Sequence, residues 1–306
     1  MRAFIGRRLA QAVLVVFGVS LVVFFVIRLS GDPTYLMLPP NATDEDRVRF
    51  ARELGLDRPL PVQYGVFIRR AVAGDFGRSL RYNQPALGLV LERLPATLEL
   101  AAAALVVSLV VAIPAGVVSA VRRNTSVDNL TMLGALFGQS MPVFWLGILL
   151  ILVFSVRLDL FPTSGRGTFA HLVLPAVTLG LYSTARVTRL VRAGMLEVLG
   201  QDYVRTAWAK GLAARVVIYK HALRNTLIPV VTIVGLELGT LLGGAVITET
   251  VFAWPGIGRL AVTAIFQRDY PVVQAAVCTT AVVFVLSNLF VDAVYGWLDP
   301  RIRITT

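Results

Sequence analysis

Six stretches of this chain stay apolar for about 20 residues each, the length an α-helix needs to cross the hydrocarbon core of a bilayer. Read by hydropathy, they fall at about 9–27, 97–121, 130–156, 172–191, 226–247 and 272–291. A soluble domain of 306 residues could bury a large core, but it would not need a chain 56% hydrophobic and only 15% charged. The expected fold class is an all-α integral membrane protein with six transmembrane helices. An even number of spans puts both termini on one side.

The net charge of +11 would suit nucleic acid if it were spread over the surface, so its distribution decides. Segments 1–8, 122–129, 186–224 and 299–306 lie on one side of the spans and carry +3, +1, +6 and +1. The rest of the chain is neutral. This is the positive-inside pattern, and it assigns these segments and both termini to the cytoplasm of a multi-pass cell-membrane protein. The charge reports topology, with membrane lipid as the surrounding partner and no nucleic acid required.

Arg2, Arg7 and Arg8 precede the first apolar run, as in a secretory leader. The run is long and no small-x-small cleavage site follows, so an uncleaved first helix is expected. Cys278 is the single cysteine, which excludes an internal disulfide. His171 and His221 fall on opposite faces of the membrane in this topology, so no metal site is expected and each is read as structural.

Four parts follow in order. Residues 1–28 form the cytoplasmic N-terminus and first helix, and 29–93 an extracytoplasmic loop. Residues 94–295 form the membrane core and 296–306 a cytoplasmic tail. The loop carries nine arginines and eight acids, and long loops cross regardless of charge. Thr43 with Asp46 resembles a capping box, and Gly55 a stop. Pro61 suits the first turn of a second helix ending near Gly74. The loop reads as a folded outer cover, with docking or gating as the alternative.

The spans carry polar punctuation. Span two is expected to begin after Pro95. Gln139, Ser140 and Pro142 predict a kink near the middle of span three, because proline frees a carbonyl that must find a partner. The kink faces either protein or a wet cavity. Arg186, Arg189 and Arg192 end span four and are expected to snorkel to cytoplasmic headgroups. Glu237 lies mid-span, where a carboxylate is costly. It reads as a pathway or proton-coupling residue in preference to a helix–helix hydrogen bond. Asn288 in span six is a further pathway candidate. Phe252, Trp254, Pro255 and Gly256 make an outer aromatic turn, read as an interface anchor or as part of an outer gate and docking site.

Between spans four and five stands the polar stretch EVLGQDYVRTAWAKG, 197–211. Gly200, Gln201 and Asp202 predict a helix start with Asp202 as N-cap. No proline or glycine interrupts 203–210, and Gly211 supplies a left-handed stop. Tyr203, Ala207 and Lys210 are expected on one face. The prediction is a short inward helix displaying a shaped surface.

An enzyme reading finds no support. The only lysines, Lys210 and Lys220, are followed by Gly211 and His221, so neither closes a phosphate-cradling GxxxxGK[ST] loop. There is no GxSxG elbow and no HExxH.

Four blocks taken together resemble the permease subunits of ATP-binding-cassette importers, and more closely the B-type subunit of dipeptide, oligopeptide and nickel importers. They are RRLAQAVLVVFGVSLVVFFVIRLSGDP; LGLDRPLPVQYGVF; DYVRTAWAKGLAARVVIYKHALRNTLIPVV; and ETVFAWPGIGRL with RDYPVVQ and LDPRIR. The family's EAAxxxG motif falls on Arg205, Thr206, Ala207 and Gly211. His221, Ala222, Leu223 and Arg224 stand where the wider family has IxLP. Only Ala207, Gly211 and Leu223 match, a departure that fits the peptide-type branch. The resemblance implies the type I importer fold with a large outer loop after helix one. It makes 201–211 the helix that couples to an ATPase, with Trp208 beside Arg205 and Lys210 on it. It also implies a second permease, two cassette ATPase domains and an extracytoplasmic binding protein. ATP and Mg would sit in those partners, with no cofactor bound here. The implied cargo is a peptide, with nickel chelates or glutathione as alternatives; an ion-coupled secondary transporter using Glu237 is the rival class.

Overall fold

Where the sequence has an apolar run, the structure has a helix. The computed structural model describes residues 2–29, 43, 45, 49, 52 and 57–298. The pairing of Thr43 with Asp46, the stop at Gly55 and the tail beyond Leu298 lie outside the described residues. The helices are α1 (Arg2–Leu29), α2 (Leu60–Val72), α3 (Ala86–Val121), α4 (Ser126–Ser140), α5 (Val143–Leu150), α6 (Phe169–Leu199), α7 (Asp202–Ala209), α8 (Arg224–Val251), α9 (Ile257–Phe266) and α10 (Tyr270–Leu298). Two π-helical segments, Ile151–Arg157 and Val216–Leu223, follow α5 and precede α8.

Among the described residues four helical stretches are long and apolar enough to span, namely Gly6–Leu29, Ala86–Val121, Pro229–Val251 and Tyr270–Val291. Ser126–Ser140 and Val143–Arg157 make a fifth if counted as one span, but they meet at 104°. The expected kink is thus a full break. Met141 and Pro142 are both extended, with ψ of 132°, because the residue before proline is pushed out of the helical region. The sixth expected span falls on α6, 31 residues long and about 46 Å at 1.5 Å per residue. Its arginines keep it out of a purely apolar count. α3 also begins earlier than expected and runs through Pro95.

The chain divides into two compact units, one of residues 1–96 with 255–286 and one of 97–254 with 287–306. In the first, α2 begins at Leu60 with Pro61 in its first turn, as expected, and lies against α1 through edge-on aromatics. Phe24 and Phe17 stand 5.4 and 5.6 Å from Tyr64, whose hydroxyl meets Ser20 Oγ at 2.8 Å. Asp269, 1% exposed, accepts from Ser79 Oγ and from Leu80 N at 3.2 Å. That fastens the turn before α3 to the start of α10.

In the second unit α6 is the axis, packed on α4, α5 and α8. Thr168 caps it reciprocally with His171, the Thr168 N–H donating to His171 Nδ1 at 3.2 Å. Small residues let backbones meet, as in other membrane bundles. A Cβ on Gly180 would stand 2.5 Å from the Ala104 carbonyl oxygen, and one on Gly116 2.7 Å from Val191.

Candidate coupling surface and polar interior

The 197–211 stretch folds as a helix between two turns. Gln201, not Asp202, is the N-cap: it is extended at φ −75°, ψ 149°, and its carbonyl accepts from Val204 N and Arg205 N. Asp202 is already helical, and its exposed carboxylate reaches Arg205 at 3.5 Å. At the other end Gly211 takes φ +70°. Its N–H donates to Trp208 O at 2.9 Å and Leu212 N to Ala207 O at 3.4 Å. This pair of bonds is a Schellman stop, which satisfies carbonyls that would otherwise be orphaned.

The two faces of α7 divide differently from expectation. Val204 and Ala207 are buried on Val217, with Val198 and Leu199 alongside, while Tyr203 and Lys210 are exposed. Ala207 is therefore small for the sake of its own chain. Tyr203 accepts from Asn225 Nδ2 at 2.7 Å, tying α7 to the start of α8. The outward surface is made by Tyr203, Arg205, Thr206, Trp208 and Lys210, continued by Leu212 and Tyr219. Aromatic area beside positive charge suits a protein cleft with acidic rims.

The arginines of α6, expected at the headgroups, are also held from inside the protein. Each finds a partner within the chain. Arg192 is bidentate on Asp128, both bonds 2.7 Å, and Asp128 also accepts from Ser119 Oγ and Asn124 N. Arg189 donates to Gln139 at 2.6 Å. Arg186 donates to Glu237 at 2.7 Å, and Ser183 Oγ adds a second bond to that carboxylate. Glu237 is fully buried, so it sits in the α6–α8 contact and not on an open path as preferred from sequence. Buried charge is tolerable when paired and hydrogen-bonded like this.

The structure thus brings Gln139 and Glu237 to one helix, α6. Ser140 is exposed and bonded to its own Leu136 carbonyl. Pro142 is exposed at the break, and Asn288 is half-buried on α10. Asp128 and the three arginines were missed as a set. The signal available was their spacing of three on a long helix, with one acid in the short basic segment 122–129 before span three.

The outer turn is also more enclosed than expected. Phe252 and Trp254 are each 1% exposed, which removes them as free docking surface. Phe252 O accepts from Gly165 N at 2.9 Å, and the Arg166 guanidinium lies 5.8 Å from the Trp254 ring centre. Arg166 also pairs with Glu99, while Thr97 Oγ1 donates to the buried Glu249 at 2.6 Å. Pro255 is half-buried and Gly256, buried, is the N-cap of α9.

The chain is thus a body of long apolar helices with one short capped helix, α7, set between α6 and α8. The family model for the inner membrane component of binding-protein-dependent transport systems matches residues 112–304, and the corresponding N-terminal model matches 1–101. The chain belongs to this family. It is 42% identical over 332 residues to the dipeptide transport system permease protein DppB of Alkalihalophilus pseudofirmus, covering 99% of this chain and 100% of that one. It is 41% identical to the oligopeptide permease AppB of Bacillus subtilis, covering 99% and 100%. To the glutathione permease GsiC of Escherichia coli K12 it is 43% identical, covering 98% of each. An inward-facing structure of the MetNI methionine ABC transporter superposes with a TM-score of 0.60 at 18% identity, covering 69% of this chain and 96% of that one. That likeness supports the helical fold.

Proposed function

We propose that this chain is the permease subunit of an ATP-driven importer of short peptides, working beside a second permease. Two cassette ATPase domains, holding ATP and Mg, grip α7 from the cytoplasm, and an extracytoplasmic binding protein delivers the cargo. Both termini are cytoplasmic. The observation that carries the reading is the division of α7. Its Val204–Ala207 side is fixed to its own chain, so a push on Tyr203, Arg205, Trp208 and Lys210 is transmitted into α6 and α8. ATPase closure would then rock the spans between outward and inward access. Peptide cargo rests on the dipeptide and oligopeptide relatives; glutathione, carried by the equally similar GsiC, is the second reading. The buried, doubly bonded Glu237 speaks against a proton relay.

The test is reconstitution with the neighbouring permease, ATPases and binding protein, followed by ATP-dependent dipeptide uptake. Uptake by this chain alone, without any nucleotide-binding companion, overturns the proposal.

A further inference from the structure

One face of α6 is out of place for a membrane helix. Tyr182, Arg186, Arg189 and Ala193 are spaced four, three and four apart, so they form one stripe. Tyr182 is half-buried and the other three are exposed. Arg189 lies ten residues, about 15 Å, from the α7 end of its helix. Guanidinium groups exposed on a helix of an apolar body are costly against hydrocarbon, so such a face suits water or a protein partner better than lipid.

The charges on the stripe are unequal. Arg186 is offset by Glu237 at 2.7 Å and lies 5.9 Å from the Tyr182 ring centre. Arg189 has a neutral partner, Gln139, which takes one bond from its Nη2. Among the described residues no carboxylate forms an ion pair with it, so its charge is unmatched within the chain. Gln139 fixes the guanidinium plane and leaves further N–H donors of its fork. That geometry matches a carboxylate, which an arginine binds with two parallel hydrogen bonds.

We propose that Arg189, oriented by Gln139 and flanked by Tyr182, is a transit subsite for the free carboxylate of the peptide cargo. The inference rests on the peptide-permease reading and adds the recognising group. Ser140, exposed and next to Gln139, is the reporter position.

The test uses the full importer complex in proteoliposomes with Ser140→Cys in this chain. Modification by a charged methanethiosulfonate is read on this chain by mass spectrometry. The Ser140→Cys thiol is expected to label from water, and alanyl-alanine is expected to slow labelling about tenfold or more, the size of a charge-assisted bond. The C-terminal amide should protect far less, an arm needing no substitution at 189. Adding Arg189→Gln should abolish the difference, and Arg189→Lys, which keeps charge without the fork, should fall between. No labelling overturns the proposal, because the face is then sealed by a partner or lipid. Equal protection by acid and amide overturns it as well. ATP-driven uptake measured on the same vesicles separates the outcomes. Uptake without protection sinks the subsite alone, whereas no uptake by the unsubstituted complex sinks the peptide reading and the subsite with it.

Discussion

Gly211 offers a sharp test of the coupling surface. Its φ is +70°, and a Cβ there would meet nothing within 4 Å. The cost of a side chain is therefore conformational and not steric. Alanine keeps the N–H bond to Trp208 but pays the left-handed penalty of about 1–2 kcal/mol. Asparagine tolerates this region better and should cost less. Proline fixes φ near −65°, about 135° away, and removes the donor, for about 3 kcal/mol or more. An eight-residue helix has little stability of its own, so these energies act directly on whether α7 stays docked. A loss of 1–2 kcal/mol raises the undocked population about 5- to 30-fold. Hydrogen exchange over 203–212 reads that population, and binding-protein-stimulated ATPase with peptide uptake reads its consequence. The expected order is Gly, Asn, Ala, Pro in both. Alanine performing as well as asparagine or better would refute the reasoning, since space would then matter and backbone handedness would not.

Three other outcomes follow from the interior. Gly180→Ala should lower the melting temperature of the purified protein by an overpacking cost of roughly 1–3 kcal/mol, whereas Gly243→Ala, with nothing within 4 Å, should raise it slightly, by about 0.5–1 kcal/mol. Asp128→Ala and Arg192→Ala should each lower the melting temperature, because each leaves the other half of a bidentate pair unmatched, and the double variant should melt higher than the sum of the two predicts. Glu237→Gln should leave ATP-driven uptake insensitive to an uncoupler, as in the parent; collapse on dissipating the proton gradient would return Glu237 to a relay role.

What could be read in advance was local. Apolar run length located each long helix among the described residues, and the glycine after 203–210 marked the stop of α7, because both depend on neighbours within a few residues. Pairings across the fold were hidden. Arg192 and Asp128 lie 64 residues apart and Arg186 and Glu237 lie 51 apart. Three arginines at a helix end look identical whether they reach lipid or an acid. The same holds for Phe252 and Trp254, where composition suggested an interface and packing buried both. The break at Met141–Pro142 was visible as proline chemistry, but its 104° angle depends on where α5 finds its packing partners. The N-cap was misread by one position because Asp202 has the better capping side chain, while the backbone turns at Gln201.

The contact at Gly180 restricts how this body can move. Where a helix rests on a neighbour's carbonyl with no side chain between them, sliding along the helix would bring the side chains of Val177 or Thr184, three and four residues away on that face, against Ala104. Sliding is blocked, and tilting about the contact is not. A thrust arriving at α7 would therefore swing α6 like a lever on a fixed fulcrum, with the widest travel at the ends farthest from Gly180.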